Sequence, residues 1–253
     1  MGRTTSDAIN ISGPIDPQLA DRVLHAILSR REYYKEDSLH LRIDSPGGQL
    51  EPMWRIVEAI EESKAMGVEV WTLGDGTVAS AAAILASSGS PGCREATART
   101  RILYHEPRYV PPEETVHTAQ KLHVLTSALL HRSEEILDDL VAWAGIDPAT
   151  GPVLARNEDL PKSLIRALDR TLDHAPDDGE AWDLRQAYEV LLELDEWITP
   201  EAACALGLID RVRPSRSHRA RRLPSAPERS RERKIDPLPA SDPARFAAAA
   251  RHR

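Results

Sequence analysis

Apolar residues recur along this chain in two alternating rhythms, and the alternation predicts the architecture. Residues 8–12 read as a short strand that stops at Gly13-Pro14. Asp16 and Pro17 then supply a cap and a first-turn proline for a helix to about Arg31, with Leu19, Val23, Ala26 and Ile27 at helical spacing. Residues 38–43 alternate as a strand and run straight into Asp44-Ser45-Pro46-Gly47-Gly48, before a second amphipathic helix carrying Met53, Ile56, Val57 and Ile60. Residues 68–73 give another strand, residues 74–89 a glycine-broken turn opening an alanine-rich helix, and residues 101–104 a further strand ending at His105. This rhythm of strand, loop and helix predicts an α/β fold with right-handed crossovers. Gly47, Gly48, Ser80 and His105 all fall at C-terminal strand ends, the edge at which open α/β sheets bind ligands.

Beyond His105 the pattern changes. Residues 113–143 form one long helical stretch (Val116, Ala119, Leu122, Leu125, Leu129, Ile136, Leu140) that ends at Gly145. Its length predicts a projecting arm that packs on another surface. Residues 146–179, bounded by Asp147-Pro148 and Asp177-Asp178-Gly179 and holding a short helix of Leu164, Ile165, Leu168 and Leu172, read as an insertion. A helix over about 180–196 leads to Thr199-Pro200, the cap and first-turn proline of another, and Gly207-Leu208-Ile209-Asp210 closes the folded part. The expected organisation is one domain over residues 1–212, with the arm at about 113–145 and the insertion at about 146–179, followed by a tail over 213–253.

Composition narrows the classes. At 253 residues and 41% hydrophobic content the chain can bury a full core. Aromatics make up 4% and are not interleaved with basic residues, so no stacking platform for single-stranded nucleic acid is visible. Two cysteines, Cys93 and Cys204, give neither a disulfide framework nor metal-ligand spacing. No secretory leader opens the sequence and no run of about 18 apolar residues occurs, so a cytoplasmic protein off the membrane is expected, with no metal and no cofactor. Residues 211–253 hold thirteen Lys or Arg against four Asp or Glu, a segment of +9 in a chain of formal charge −8. That leaves −17 on the rest. Such a tail is expected to be disordered, and either binds an acidic partner or lies solvated against its own acidic body.

Ser80 stands where a strand hands over to a buried helix. Glycines allow the sharp turn, small neighbours let another backbone approach, and the first N–H groups of a helix are free to bind an oxyanion. Taken alone the window also suits a serine that merely caps a helix. A serine hydroxyl needs an imidazole to take its proton, and His105, at the next strand end, is the candidate. The other eight histidines lie in or beside amphipathic elements or in loops and tail, where packing or solvation accounts for them.

In this order and at these spacings the motifs resemble the proteolytic subunit of the Clp protease, within the Clp/crotonase fold, which implies repeated strand-strand-helix units with a projecting helical arm. The resemblance rests on Ile11-Ser12-Gly13-Pro14-Ile15, Ile43-Asp44-Ser45-Pro46-Gly47-Gly48, Gly76-Thr77-Val78-Ala79-Ser80, Arg101-Ile102-Leu103-Tyr104-His105-Glu106-Pro107, Trp197-Ile198-Thr199-Pro200-Glu201-Ala202 and Gly207-Leu208-Ile209-Asp210, and spans about residues 9–212. It implies a serine endopeptidase, ATP-independent or chaperone-assisted, that cleaves peptides or unfolded proteins through an acyl-enzyme on Ser80. His105 would be the general base, Gly48 and Ala81 the oxyanion donors, and a homo-oligomeric ring the assembly. The family's acid position falls on Leu191, so no carboxylate matches directly. Asp195 is taken as the third residue because it lies nearer the helix end, with Glu193 as the alternative and a dyad, in which a backbone carbonyl or water orients His105, also open. The family's usual AAA+ unfoldase is an expected partner that the short segment before the first strand and the insertion argue against. Two other readings stand beside the peptidase: a catalytically silent scaffold subunit of a mixed ring, and a crotonase-type acyl-CoA enzyme sharing the fold.

Overall fold

In a computed structural model the placed residues are 8–33, 37–109, 118–144, 153–171 and 181–214. The chain divides into two units, residues 1–215 and 216–253, and every described residue belongs to the first. The tail beyond Pro214, the ends of the insertion, and Val116 and Leu172 lie outside the described residues.

Five parallel strands form the main sheet in the order β1 (Ile9–Ser12), β2 (Ser38–Ser45), β3 (Glu69–Ala79), β4 (Arg94–Thr97) and β9 (Arg211–Arg213). β3 is longer than its apolar alternation predicts because it serves two partners in turn. Residues 72–74 pair with β4, and residues 77–79 pair with β5 (Arg101–Leu103), to which β8 (Trp197–Ile198) adds antiparallel. The strand changes partner at Gly74-Asp75-Gly76. There Gly76 has φ +115°, a Cβ on it would stand 2.6 Å from Asp44 Oδ1, and Asp44 accepts the Thr77 N–H at 2.9 Å. No side chain but glycine's hydrogen fits that bend. β4, absent from the periodicity, is four residues long and its register rests on neighbours at both sides.

α1 (Pro17–Leu28), α2 (Leu50–Ala65) and α3 (Ala81–Ser87) bury their apolar faces with the strands' inward residues. Asp16 caps α1 by accepting the Leu19 N–H at 2.7 Å, ahead of Pro17. Leu19, Val23 and Ile27 of α1 and Met53, Ile56, Val57 and Ile60 of α2 are buried as the spacing predicts, against Ile11, Leu39, Leu41, Ile43 and Val70. Each such side chain contributes about 1.5–3 kcal/mol, so truncating Ile56 to alanine would cost about 2–5 kcal/mol once the cavity is counted.

α4 (Ala119–Trp143) starts later than the predicted arm and packs only by its second half, through Ser133, Ile136, Leu137 and Leu140. Leu122, Val124 and Leu130 are 49%, 60% and 61% exposed, Leu125 and Leu129 are half-buried, and no residue of the first half is buried. The insertion holds β6 (Val153–Ala155) and α5 (Lys162–Asp169), whose Leu164 and Leu168 are buried, and β6 pairs antiparallel with β7 (Ala181–Asp183) just beyond the insertion's expected end. β7 corrects the helix expected from residue 180. Asp183 accepts the Gln186 N–H at 2.9 Å and so starts α6 (Leu184–Leu194), while buried Trp182 before it stays extended. Thr199 caps α7 (Pro200–Ala205) as its sequence predicts. Among the described residues no helix is long and apolar enough to cross a membrane.

Candidate active site

Ser80 joins β3 to α3 with φ 57° and ψ −129°, a conformation that costs a non-glycine residue of order 1–3 kcal/mol. Its backbone is pinned: the N–H donates to Leu103 O at 2.8 Å, and its carbonyl accepts from Ala83 N–H at 2.8 Å. Its hydroxyl makes no capping bond to α3. The helix-cap role for this serine is therefore not the one it plays. All seven residues of α3 are buried, and their small side chains let the surrounding strands approach.

Gly47 presses against this turn. It has φ +94°, and a Cβ there would stand 2.6 Å from both Ala79 O and Ser80 Cβ. Gly48 lies against the backbone of Ile15, where a Cβ would stand 2.2 Å from Ile15 O. The loop is held from its flanks. Ser45 Oγ donates to Gly13 O at 2.6 Å and accepts the Gly47 N–H at 3.1 Å, while Gln49 N–H donates to Ile15 O at 2.8 Å. Among the described residues neither the Gly48 nor the Ala81 N–H has an acceptor, and both residues line one cleft.

His105 follows β5. The residue before it, Tyr104, is buried, shares a 2.7 Å hydrogen bond with Ser87 and donates to Ala83 O at 3.2 Å, which ties the chain before His105 to α3. Burial pushes the Tyr104 phenol up to about 12, so it is a neutral anchor at any ordinary pH. His105 Nδ1 lies 2.6 Å from Glu106 O. A carbonyl only accepts, so Nδ1 is the donor in this contact, and Nε2 is left without a hydrogen-bond partner among the described residues. Among the described residues Ser80 and His105 line the same cleft and are not hydrogen-bonded to each other.

The cleft has a volume of about 630 Å³. It brings together four of the sequence-predicted residues, Gly48, Ser80, Ala81 and His105, over an apolar floor of Leu50, Ile84 and Ile136. The carboxylates do not join them. Asp195 ends α6 in the left-handed region (φ 51°, ψ 42°) and pairs with Arg108, Glu193 is exposed, and Leu191 is in the core. Arg108, Arg132 and Glu51 line the cleft without having been singled out in the sequence. An arginine shortly after the histidine was the available signal for Arg108. Arg132 donates to Glu51 and to Glu135, joining α4 to the first turn of α2. The two cysteines offer no rival nucleophile, since burial pushes both thiols up, Cys204 to about 11.

Comparison with known proteins follows the same span. Over 202 residues the chain is 26% identical to the ATP-dependent Clp protease proteolytic subunit 2 of Leifsonia xyli subsp. xyli, covering 80% of this chain and 72% of that one. Residues 3–140, which include Gly48, Ser80, Ala81 and His105 and stop short of α6, match the Clp protease family. With that match over more than half its length, on a mixed α/β fold with a mainly parallel sheet, the chain belongs to the Clp protease family.

Proposed function

We propose that this protein is a serine endopeptidase acting on peptides and unfolded chains, with Ser80 as nucleophile and His105 as general base and acid. The observation that carries the reading is the strained turn at Ser80, whose hydroxyl is spared from capping and which shares a cleft with His105 and two unbonded amides. His105 Nε2 takes the Ser80 proton as Oγ attacks the peptide carbonyl. The oxyanion accepts hydrogen bonds from Gly48 and Ala81 N–H. The proton then passes to the leaving amine, an acyl-enzyme remains on Ser80, and water activated by the same imidazole releases the acid. Glu106 O holds Nδ1–H and so fixes the working tautomer, a dyad arrangement. The half of α4 that stands free supports assembly of copies into a ring. The similar protein is named as a subunit of an ATP-dependent protease, so cleavage assisted by an ATP-driven chaperone stands beside cleavage without one, and an acidic partner for the tail belongs to this proposal as well.

A catalytically silent scaffold is favoured by one observation, the engagement of Asp195 by Arg108. A fluorophosphonate probe separates the two. Incubation followed by peptide mass spectrometry should find the adduct on Ser80 and lose it in Ser80→Ala. An unlabelled parent chain that also leaves model peptides uncut would overturn the peptidase.

A further inference from the structure

The segment that carries His105 lacks the sheet partner its neighbours have. In the antiparallel pair, Ile102 faces Ile198 and Leu103 faces Trp197. Continued by two residues, that register would set His105 opposite Asp195. It does not continue. Residues 104–109 have no regular structure, and at Asp195 the chain adopts the left-handed turn that closes α6. At this point the Asp195 carboxylate meets the guanidinium of Arg108, three residues past His105, while His105 Nδ1 is occupied by Glu106 O. Arg108 itself lines the cleft with Ser80 and His105.

Resting on the serine-peptidase reading, we infer that Arg108 and Asp195 form a clamp that stands in for the missing ladder and holds the His105 loop in its working position. Asp195 acts on His105 through Arg108, without touching the imidazole, so both are positioning residues. Before the histidine the loop is anchored by the Ser80 N–H on Leu103 O and by the Tyr104 hydroxyl on Ala83 O. The clamp supplies the anchor after it. A planar guanidinium suits the task because its donors are fixed in direction, which a lysine's are not. The two side chains are 57% and 44% exposed, so the pair adds little to global stability and can be cut without unfolding the protein. Position is what it controls, and misplacing a catalytic group by about 1 Å costs on the order of 100-fold in rate.

The test uses the full chain with Arg108→Gln, Asp195→Asn, the double variant, and the swap that combines Arg108→Asp with Asp195→Arg. Expected are losses in kcat of roughly 10- to 100-fold in each single variant, no further loss in the double, and recovery in the swap. The pH midpoint of kcat/KM in Asp195→Asn should stay at the parent value. A loss on the order of 10⁴ confined to Asp195→Asn, with the midpoint moved down and Arg108→Gln unaffected, would make Asp195 the direct acid and overturn the clamp. Single variants as active as the parent would overturn it too. If the parent neither cuts peptides nor takes the probe, the peptidase reading fails, and amide exchange over residues 104–109 decides the clamp by itself. Faster exchange in both single variants supports it, and unchanged exchange overturns it.

Discussion

Substitution of Gly47 by alanine tests whether the close approach between the glycine loop and the Ser80 turn is what the chemistry needs. The new Cβ would stand 2.6 Å from Ala79 O and from Ser80 Cβ, and 3.1 Å from Ala81 N. Carbon atoms in contact sit about 3.5–4.0 Å apart, so the loop must retreat by about 1 Å. All three contacts are with β3 and the start of α3, which move only with the sheet and with buried α3. The loop therefore yields, and it takes the Gly48 N–H with it. Losing one oxyanion donor costs roughly 10²–10³ in kcat. Stability falls for two reasons: alanine at φ +94° costs about 1–2 kcal/mol, and overpacking about 1–3 kcal/mol more.

A control separates these terms. Gly13 has φ +78°, and a Cβ added there would meet nothing within 4 Å, so Gly13→Ala carries the conformational cost alone. Urea unfolding should show Gly13→Ala lowered by about 1–2 kcal/mol and Gly47→Ala by more. Initial rates on a fluorogenic peptide should show the large loss only in Gly47→Ala. Equal loss of kcat in both variants, or a Gly47→Ala enzyme within about threefold of the parent, would refute the argument from close approach.

Three other outcomes are expected. Ser80→Gly should be about 1 kcal/mol more stable than Ser80→Ala in urea, because only glycine is relieved of the strain at φ 57°, and both should be inactive. Asp210→Ala should cost about 3–5 kcal/mol, since it strands the fully buried Arg94 guanidinium, whose hydrogen bonds hold the Asp210 carboxyl below the usual range despite burial; an unchanged urea midpoint would contradict this. Asp139→Asn should stabilise the protein at pH 7.5 by about 1 kcal/mol after allowance for solvent screening, with the gain vanishing near pH 4. Burial first, then Glu61, Asp138 and Glu135, push the Asp139 carboxyl up to about 6 against the pull of Lys64. A carboxyl raised on folding binds its proton more tightly in the native state, so its contribution is fully present at low pH and is lost as pH rises from about 4 to about 6.

Local chemistry made much of this legible in advance. The caps at Asp16 and Thr199 and the inward faces of α1 and α2 follow from signals a few residues long, the strand-end placing of Gly48, Ser80 and His105 from the alternation of elements, and the choice of Gly48 and Ala81 as amide donors from the family resemblance alone. What periodicity could not carry was pairing between distant segments. β4 and β7 are three or four residues each and exist because a partner strand is beside them, and β3 outruns its own alternation because β5 lies along its second half. The same holds for Asp195. Its distance from His105 along the chain says nothing of Arg108, which takes its carboxylate, and the exposure of Leu122 depends on where the packing surface under α4 ends.

The three parts of the candidate site are not held separately, and the residue that joins them is Asp44. It stands at the end of β2, four residues before Gly48, and its carboxylate accepts from Thr77 N–H in β3, at the bend beside Gly76 where the strand leaves β4 for β5. The bend directs the last residues of β3 onto β5, and β5 is what delivers His105. Ser80 follows at the end of the same strand, its N–H on Leu103 O. One carboxylate thus couples the strand end that leads into the Gly47-Gly48 loop to the strand that ends at Ser80 and, through that strand's change of partner, to the segment carrying His105. Asp44→Ala removes the acceptor but keeps the glycines, so it should loosen the geometry while leaving every reacting group in place. The expected signature is a fall in kcat with little change in KM, since the floor of Leu50, Ile84 and Ile136 that receives a side chain is built without it. A variant whose KM rises while kcat holds would show that Asp44 serves binding instead, and would break the link drawn between the bend and the chemistry.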